Sequence, residues 1–284
     1  MGGGRTGLKI IFFGTPNYVI PILEKVYKNY EVVAVVTQPP KLAGRKQIRT
    51  FSPVDNWAFK KKVQVITNLK DALPEADLGI VAAYGQIIPG KILTHFKYGI
   101  LNVHPSLLPK YRGASPIQSA ILNGEPETGV TVIKMDEKVD HGPIISQFKE
   151  QVLEEDTTYS LRKRLFERSA QFLIDLIPSY INGKVKPKVQ DEKKAILTKI
   201  FKKEDGFINL SKETPIKAFN FIRAMQPWPV AWTYVKKDSQ KLRLKILKAH
   251  LENEKLVIDE VQLEGKNPVK WKQFEEAYGP NLLS

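Results

Sequence analysis

At 284 residues the chain is about twice the usual domain length, so two domains, or one domain with a substantial extension, are expected. Hydrophobic residues at 42% and charged residues at 26% describe an ordinary globular protein, neither disordered nor collagen-like. Zero cysteines exclude disulfides, a thiolate nucleophile and cysteine-ligated metal centres, while a net charge of +14 attracts polyanions. With only four histidines besides, no metal is expected. There are 23 basic and 17 acidic residues before Lys184, and 21 basic and 13 acidic from Lys184 onward, so the last third of the chain carries more than half of the excess. On charge alone, a solvated lysine-rich surface and a nucleic-acid surface are equal readings.

Met1-Gly2-Gly3-Gly4-Arg5-Thr6 formally fits a myristoylation pattern, but residues 1–7 are read as a short flexible leader. No apolar run approaches the roughly 18 to 20 residues of a membrane span, and no signal core follows the N-terminus, so a soluble cytoplasmic protein without membrane contact is expected. Apolar β-branched runs predict strands at Leu8 to Phe13, Val32 to Thr37, Val63 to Ile66, Leu78 to Ala82, Gly99 to Val103, Val130 to Lys134 and Ile144 to Val152. Helices are predicted at Tyr18 to Tyr30, where Pro21 must fall in the first turn, at Phe51 to Lys62, and at Ser115 to Leu122. A long amphipathic helix follows at Thr157 to Ile181, ended by Asn182-Gly183.

Lys184 to Glu204 is polar and reads as a linker, drawn at 188–205 between a first domain at 8–187 and a second at 206–284. Pro215 to Met225 is a predicted helix, followed by short runs at Thr233 to Val235, Leu242 to Ala249 and Lys255 to Ile258. The expected fold is α/β: a Rossmann-like, mostly parallel sheet, then a smaller β-rich domain of OB-like barrel type.

Gly14-Thr15-Pro16 follows the first strand, but a dinucleotide fingerprint needs close backbone approach at three glycines, so NAD is disfavoured. The segment Gly99 to Pro116 is more informative. Asn102 and His104 lie two residues apart on a predicted strand, so both leave the same face at its carboxyl end, where open α/β sheets bind ligands. The Asn amide can donate to a developing oxyanion, and His can relay a proton near neutral pH. Asp140 is the carboxylate expected to orient His104, with Asp136 as a rival from the same stretch. With no Ser or Cys nucleophile in the set, direct transfer between two bound substrates is expected.

These segments are similar to a known family. IIFFGTP at Ile10 to Pro16, TQPPKLAGR at Thr37 to Arg45, VAAYGQIIP at Val81 to Pro89, NVHPSLLPKYRGASPIQ at Asn102 to Gln118, MDEKVDHGPI at Met135 to Ile144, KVQDE at Lys188 to Glu192 and AMQPWPVAW at Ala224 to Trp232 resemble the methionyl-tRNA formyltransferases, within the 10-formyltetrahydrofolate-dependent formyltransferase superfamily. The resemblance implies that Asn102, His104 and Asp140 are catalytic. It places Ser106, Leu107, Leu108 and Pro109 in the folate pocket, and Tyr84, Gly85, Ile87, Ile88 and Pro89 at its pterin end. It assigns Lys41, Arg45, Lys46 and Arg49, in the acid-free loop Thr37 to Pro53, to the tRNA acceptor end. Implied with these are 10-formyltetrahydrofolate as donor, initiator methionyl-tRNA as acceptor, a second domain that binds tRNA, and a monomeric enzyme. Pro105 stands where many relatives carry glycine, and the second domain is shorter than usual. Three rival readings are an amino-sugar nucleotide as acceptor, hydrolysis of formyltetrahydrofolate, and a non-catalytic RNA-binding protein on the same core.

Overall fold

A computed structural model describes residues 6–44, 46–237 and 240–279. In chain order the elements are β1 (Thr6–Gly14), α1 (Ile20–Asn29), β2 (Tyr30–Val36), β3 (Lys41–Ala43), β4 (Ile48–Thr50), α2 (Pro53–Lys61), β5 (Gln64–Ile66), β6 (Leu78–Ala82), α3 (Gly90–Leu93), β7 (Ile100–His104), β8 (Arg112–Gly113), α4 (Pro116–Leu122), β9 (Glu127–Lys134), β10 (Ile144–Gln151), α5 (Thr158–Ile181), β11 (Leu197–Thr198), α6 (Pro215–Ala224), β12 (Ala231–Lys237), β13 (Gln240–Glu252), β14 (Lys255–Leu263), β15 (Val269–Lys270) and α7 (Trp271–Tyr278). The chain forms two compact units: one of residues 1–114, 129–150 and 162–197, the other of residues 115–128, 151–161 and 198–284.

The first unit is built on a seven-stranded sheet of order β10-β9-β7-β6-β1-β2-β5. β2, β5, β6 and β7 join β1 in parallel pairing, and β9 returns antiparallel to β7. β6 and β7 are buried at every position, and so are Ile10 to Phe13 of β1, as expected for strands covered on both faces. Flanking helices start where their caps allow. Pro21 sits in the first turn of α1, and Ser52 caps α2 by accepting from the Asp55 amide, with Pro53 at the first helical position. Lys62, at φ 56°, ends α2 in the left-handed region.

The second unit holds a four-stranded antiparallel sheet, β12-β13-β14-β15. Met225, Ala231 and Ile246 share one core with Ile222 of α6, while Phe274 of α7 packs with Val235, Leu244 and Val261 in another. Four findings go beyond the sequence reading. β3 and β4 form a hairpin inside the basic loop, the short helix α3 follows Pro89, α7 closes the C-terminal region, and the stretch read as a linker is partly ordered into the first unit. Lys188 exchanges two 2.8 Å backbone bonds with Ile144, and Gln190 is buried at 5% exposure. A polar composition concealed this, because the bonds that order the stretch run to distant residues, from Ile144 and Asp140 back to Arg112 and Pro109.

Candidate active site

Asn102 and His104 sit at the carboxyl end of β7, buried at 8% and 5% exposure. Asn102 is level with Val81 of β6, which is level with Phe13 of β1 and through it with Val36 of β2. The site therefore lies along the carboxyl edge of the parallel strands. Sheet order reverses between β1 and β6, and a crevice at such a switch point is where open α/β folds bind ligands.

Asp140 reaches this edge from the loop between β9 and β10. Asn102 Nδ2 donates to Asp140 Oδ1 at 3.0 Å, His104 Nδ1 lies 3.4 Å from Oδ2, and the Gly113 amide donates to Oδ2 at 2.8 Å. One carboxylate thus touches both strand residues. The other imidazole nitrogen, Nε2, is 2.9 Å from the Tyr111 carbonyl. A carbonyl only accepts, so Nε2 carries hydrogen, and protonation of Nδ1 then gives a charge-assisted pair with Asp140. The rival Asp136 is turned elsewhere: it accepts from the Lys138 amide at 3.0 Å and meets His141 Nδ1 at 2.6 Å.

Asp140 holds its position at φ 47°, in the left-handed region that aspartate enters more readily than most side chains. Next in the loop, Gly142 has no room for a side chain, since a Cβ there would stand 1.9 Å from the Lys134 carbonyl oxygen. Buried bonds keep the loop in place. Gln190 Nε2 donates to both Asp140 O and Gly142 O at 2.8 Å, while Gln190 Oε1 accepts from Arg112 Nε at 3.1 Å and Nη2 at 2.9 Å. Arg112 also forms a two-pronged pair with Glu192 at 2.6 and 2.9 Å, whose hydrogen bonds hold the Glu192 carboxyl below its ordinary range.

The segment after β7 is pinned by Thr131, which faces His104 across the β7–β9 pair. Its hydroxyl donates to Ser106 O at 2.6 Å and accepts from Leu108 N at 3.0 Å and Gln147 Nε2 at 2.7 Å. Ser106 Oγ, fully buried, donates to Lys110 O at 2.7 Å, so its hydrogen is already engaged and it is no free nucleophile. Leu108 packs into the core with Ile133 and Ile144, whereas Leu107 and Pro109 remain partly exposed.

Across the switch point, Tyr84 O accepts from Thr15 Oγ1 at 2.9 Å and Gln38 Nε2 at 3.3 Å, which ties together the loops that follow β1, β2 and β6. The Tyr84 ring is buried in the core, and desolvation raises its phenol above the ordinary value. Ile88 is buried too, while Gly85 and Pro89 are exposed and Ile87 stands 84% exposed. Of the basic residues, Lys41 and Arg49 lie on the β3–β4 hairpin and Lys46 in its turn, all exposed. Lys41 Nζ donates to Gln38 Oε1 at 2.8 Å, and Arg49 lies 5.6 Å from the Phe51 ring. Arg45 lies outside the described residues.

The structure thus brings Asn102, His104 and Asp140 together, and it adds four participants that sequence reasoning missed: the Tyr111 carbonyl, the Gly113 amide, Gln190 and Arg112. Tyr111 and Gly113 act through backbone atoms, which carry no side-chain signal. Gln190 lies inside a segment singled out only for its resemblance.

Residues 8–177 match the Formyl transferase family and residues 200–256 match the Formyl transferase C-terminal domain; the chain belongs to this family. Its relatives sharpen the assignment. Over 243 residues the chain is 41% identical to the methionyl-tRNA formyltransferase of Listeria innocua, covering 82% of this chain and 78% of that one. Among solved structures, a sugar 3N-formyl transferase determined in the presence of dTDP and 5-N-formyl-THF is 26% identical with a TM-score of 0.64, over 87% of this chain and 88% of the other. The methionyl-tRNA formyltransferase of Clostridium thermocellum shares the fold at 21% identity and a TM-score of 0.60, over 90% of this chain and 98% of that chain. Among the described residues, no helix is long and apolar enough to cross a membrane.

Proposed function

We propose that this protein transfers the formyl group of 10-formyltetrahydrofolate to the α-amino group of methionyl-initiator tRNA, as a monomer in the cytoplasm. The observation that carries the chemistry is the Asp140 carboxylate meeting both Asn102 and His104 at the carboxyl edge of the sheet, with no nucleophile in the set. The amine attacks the formyl carbon to give a tetrahedral adduct, which collapses by breaking the bond to the folate nitrogen as the amine proton ends on that nitrogen. Negative charge develops on the formyl oxygen in between. Asn102 keeps a second N–H for that oxygen beyond the one given to Asp140. A protonated His104, held by Asp140 and the Tyr111 carbonyl, supplies positive charge, while the Asp140 carboxylate helps manage the proton leaving the amine.

The folate would lie across the switch point, between the Ser106–Pro109 segment and the Tyr84–Pro89 loop. Leu107, Pro109, Gly85, Ile87 and Pro89 offer exposed surface, while Ser106, Leu108, Tyr84 and Ile88 set the shape from within. Lys41, Arg45, Lys46 and Arg49 would meet tRNA phosphates. In the second domain, 206–284, the rings of Phe207, Trp232 and Tyr234 lie 5.0 to 5.9 Å apart, with Lys241 3.9 Å from Tyr234 and Arg243 4.0 Å from Trp232. Trp232 is buried at 7% exposure and leaves no face for a base, so it is the cations carried on these rings that suit RNA phosphates.

The test is transfer of labelled formyl from 10-formyltetrahydrofolate to aminoacylated initiator tRNA, beside elongator methionyl-tRNA, an amino-sugar nucleotide and water. Rapid transfer to the initiator tRNA alone is expected. Turnover on the amino-sugar nucleotide or water with none on tRNA would overturn the acceptor and leave the transfer chemistry standing.

A further inference from the structure

Asp140 must present its carboxylate to two side chains while its own backbone occupies a left-handed conformation and its loop neighbour Gly142 is squeezed against Lys134. Such a loop needs an external hold, and one buried side chain supplies it. The Gln190 amide points its nitrogen at the carbonyls of Asp140 and Gly142, on either side of His141, and its oxygen at Arg112. Arg112 fixes which way that amide faces, because a guanidinium donates only and must meet the oxygen. The residue after Arg112, Gly113, donates its amide to the Asp140 carboxylate. The dipeptide Arg112-Gly113 therefore holds both ends of Asp140: the side chain directly, the backbone through Gln190. Glu192 balances the Arg112 charge from outside, and Arg112 N is bonded to Ile196 O at 2.8 Å.

We infer that Gln190 and Arg112 are positioning residues for the formyl-transfer step, acting through Asp140 on the His104 imidazole. This rests on the reading of Asp140 as part of the transfer site. The residue type matters: a glutamate at 190 would still accept from Arg112 but has no hydrogen for the two carbonyls, so it cuts the hold on the loop and keeps an acceptor for the guanidinium.

Gln190→Glu separates this role from plain stability. Its kcat is expected to fall about tenfold to a hundredfold, the range a misplacement of about an ångström produces, with both KM values within about twofold of wild type. Added to Asp140→Asn, it should cause no further loss, since residues acting as one unit are not additive. In substrate-free enzyme, NMR titration of the His104 imidazole should move in the same direction as in Asp140→Asn. If Gln190→Glu does not fold, Gln190→Met, of similar length and without hydrogen bonds, is read the same way. Normal kcat with an unmoved His104 titration would overturn the inference, as would losses that multiply in the Asp140→Asn background. An enzyme inactive on methionyl-tRNA would sink the proposed acceptor alone, because the His104 comparison needs no substrate.

Discussion

Two loops of the first unit contrast sharply. The loop bearing Asp140 is held by buried and half-buried bonds from Gln190, Gly113 and Asn102. The β3–β4 hairpin keeps residues 46–50 exposed, with Leu42 and Ile48 more than 60% accessible. A group that handles a proton or a developing charge must be placed before the substrate arrives, because its effect falls off over fractions of an ångström. A surface that meets a polyanion can be ordered by that partner, and long-range attraction to phosphates tolerates loose geometry. Buried polar groups accordingly surround the first loop, while the second stays open.

The sharpest test of this contrast is removal of the converging side chains. Asn102→Ala, His104→Ala and Asp140→Ala should each lower single-turnover transfer by at least about a hundredfold, with thermal melts showing that the fold persists. Near-normal turnover in any one removes that residue from the mechanism. A smaller effect, on stability, is expected at the pin of the neighbouring segment. Thr131→Val strands Leu108 N and Ser106 O and removes one of the two bonds of Gln147 Nε2, and urea unfolding should show a loss of about 1 to 3 kcal/mol. The smallest effect on the free protein belongs to the hairpin. Lys46→Ala and Arg49→Ala should leave stability within about 0.5 kcal/mol. They should instead weaken tRNA use and flatten its salt dependence, by about 0.7 to 0.9 in the log–log slope for each phosphate no longer neutralised. An equal loss on folate and tRNA would break the comparison between the two loops.

Much of the first unit was legible because parallel strands buried on both faces are nearly continuous apolar runs; the pattern locates Leu78–Ala82 to the residue and β7 within one. The long helix α5 is found within one residue, as its apolar spacing and the Asn182-Gly183 stop allow. The second unit was less legible. Its strands prove several residues longer than the apolar runs, since polar residues such as Lys241 and Glu252 in β13 and Asp259 and Glu260 in β14 lie beyond them, and α7, only eight residues long with Trp271, Phe274 and Tyr278 on one side, is too short for its pattern to stand out.

For the site, sequence by itself determined which two side chains stand together: a two-residue spacing on a strand puts Asn102 and His104 on one face whatever the rest of the fold does. It also offered two carboxylates, Asp140 as the expected partner and Asp136 as its rival. Tertiary structure chose Asp140 by giving Asp136 to His141 and by placing a glycine amide, a buried glutamine and an arginine around the loop. Those choices depend on backbone direction and on residues about thirty to fifty positions away. Local pattern fixes which side chains share a face, and only the folded chain fixes which distant partners they meet.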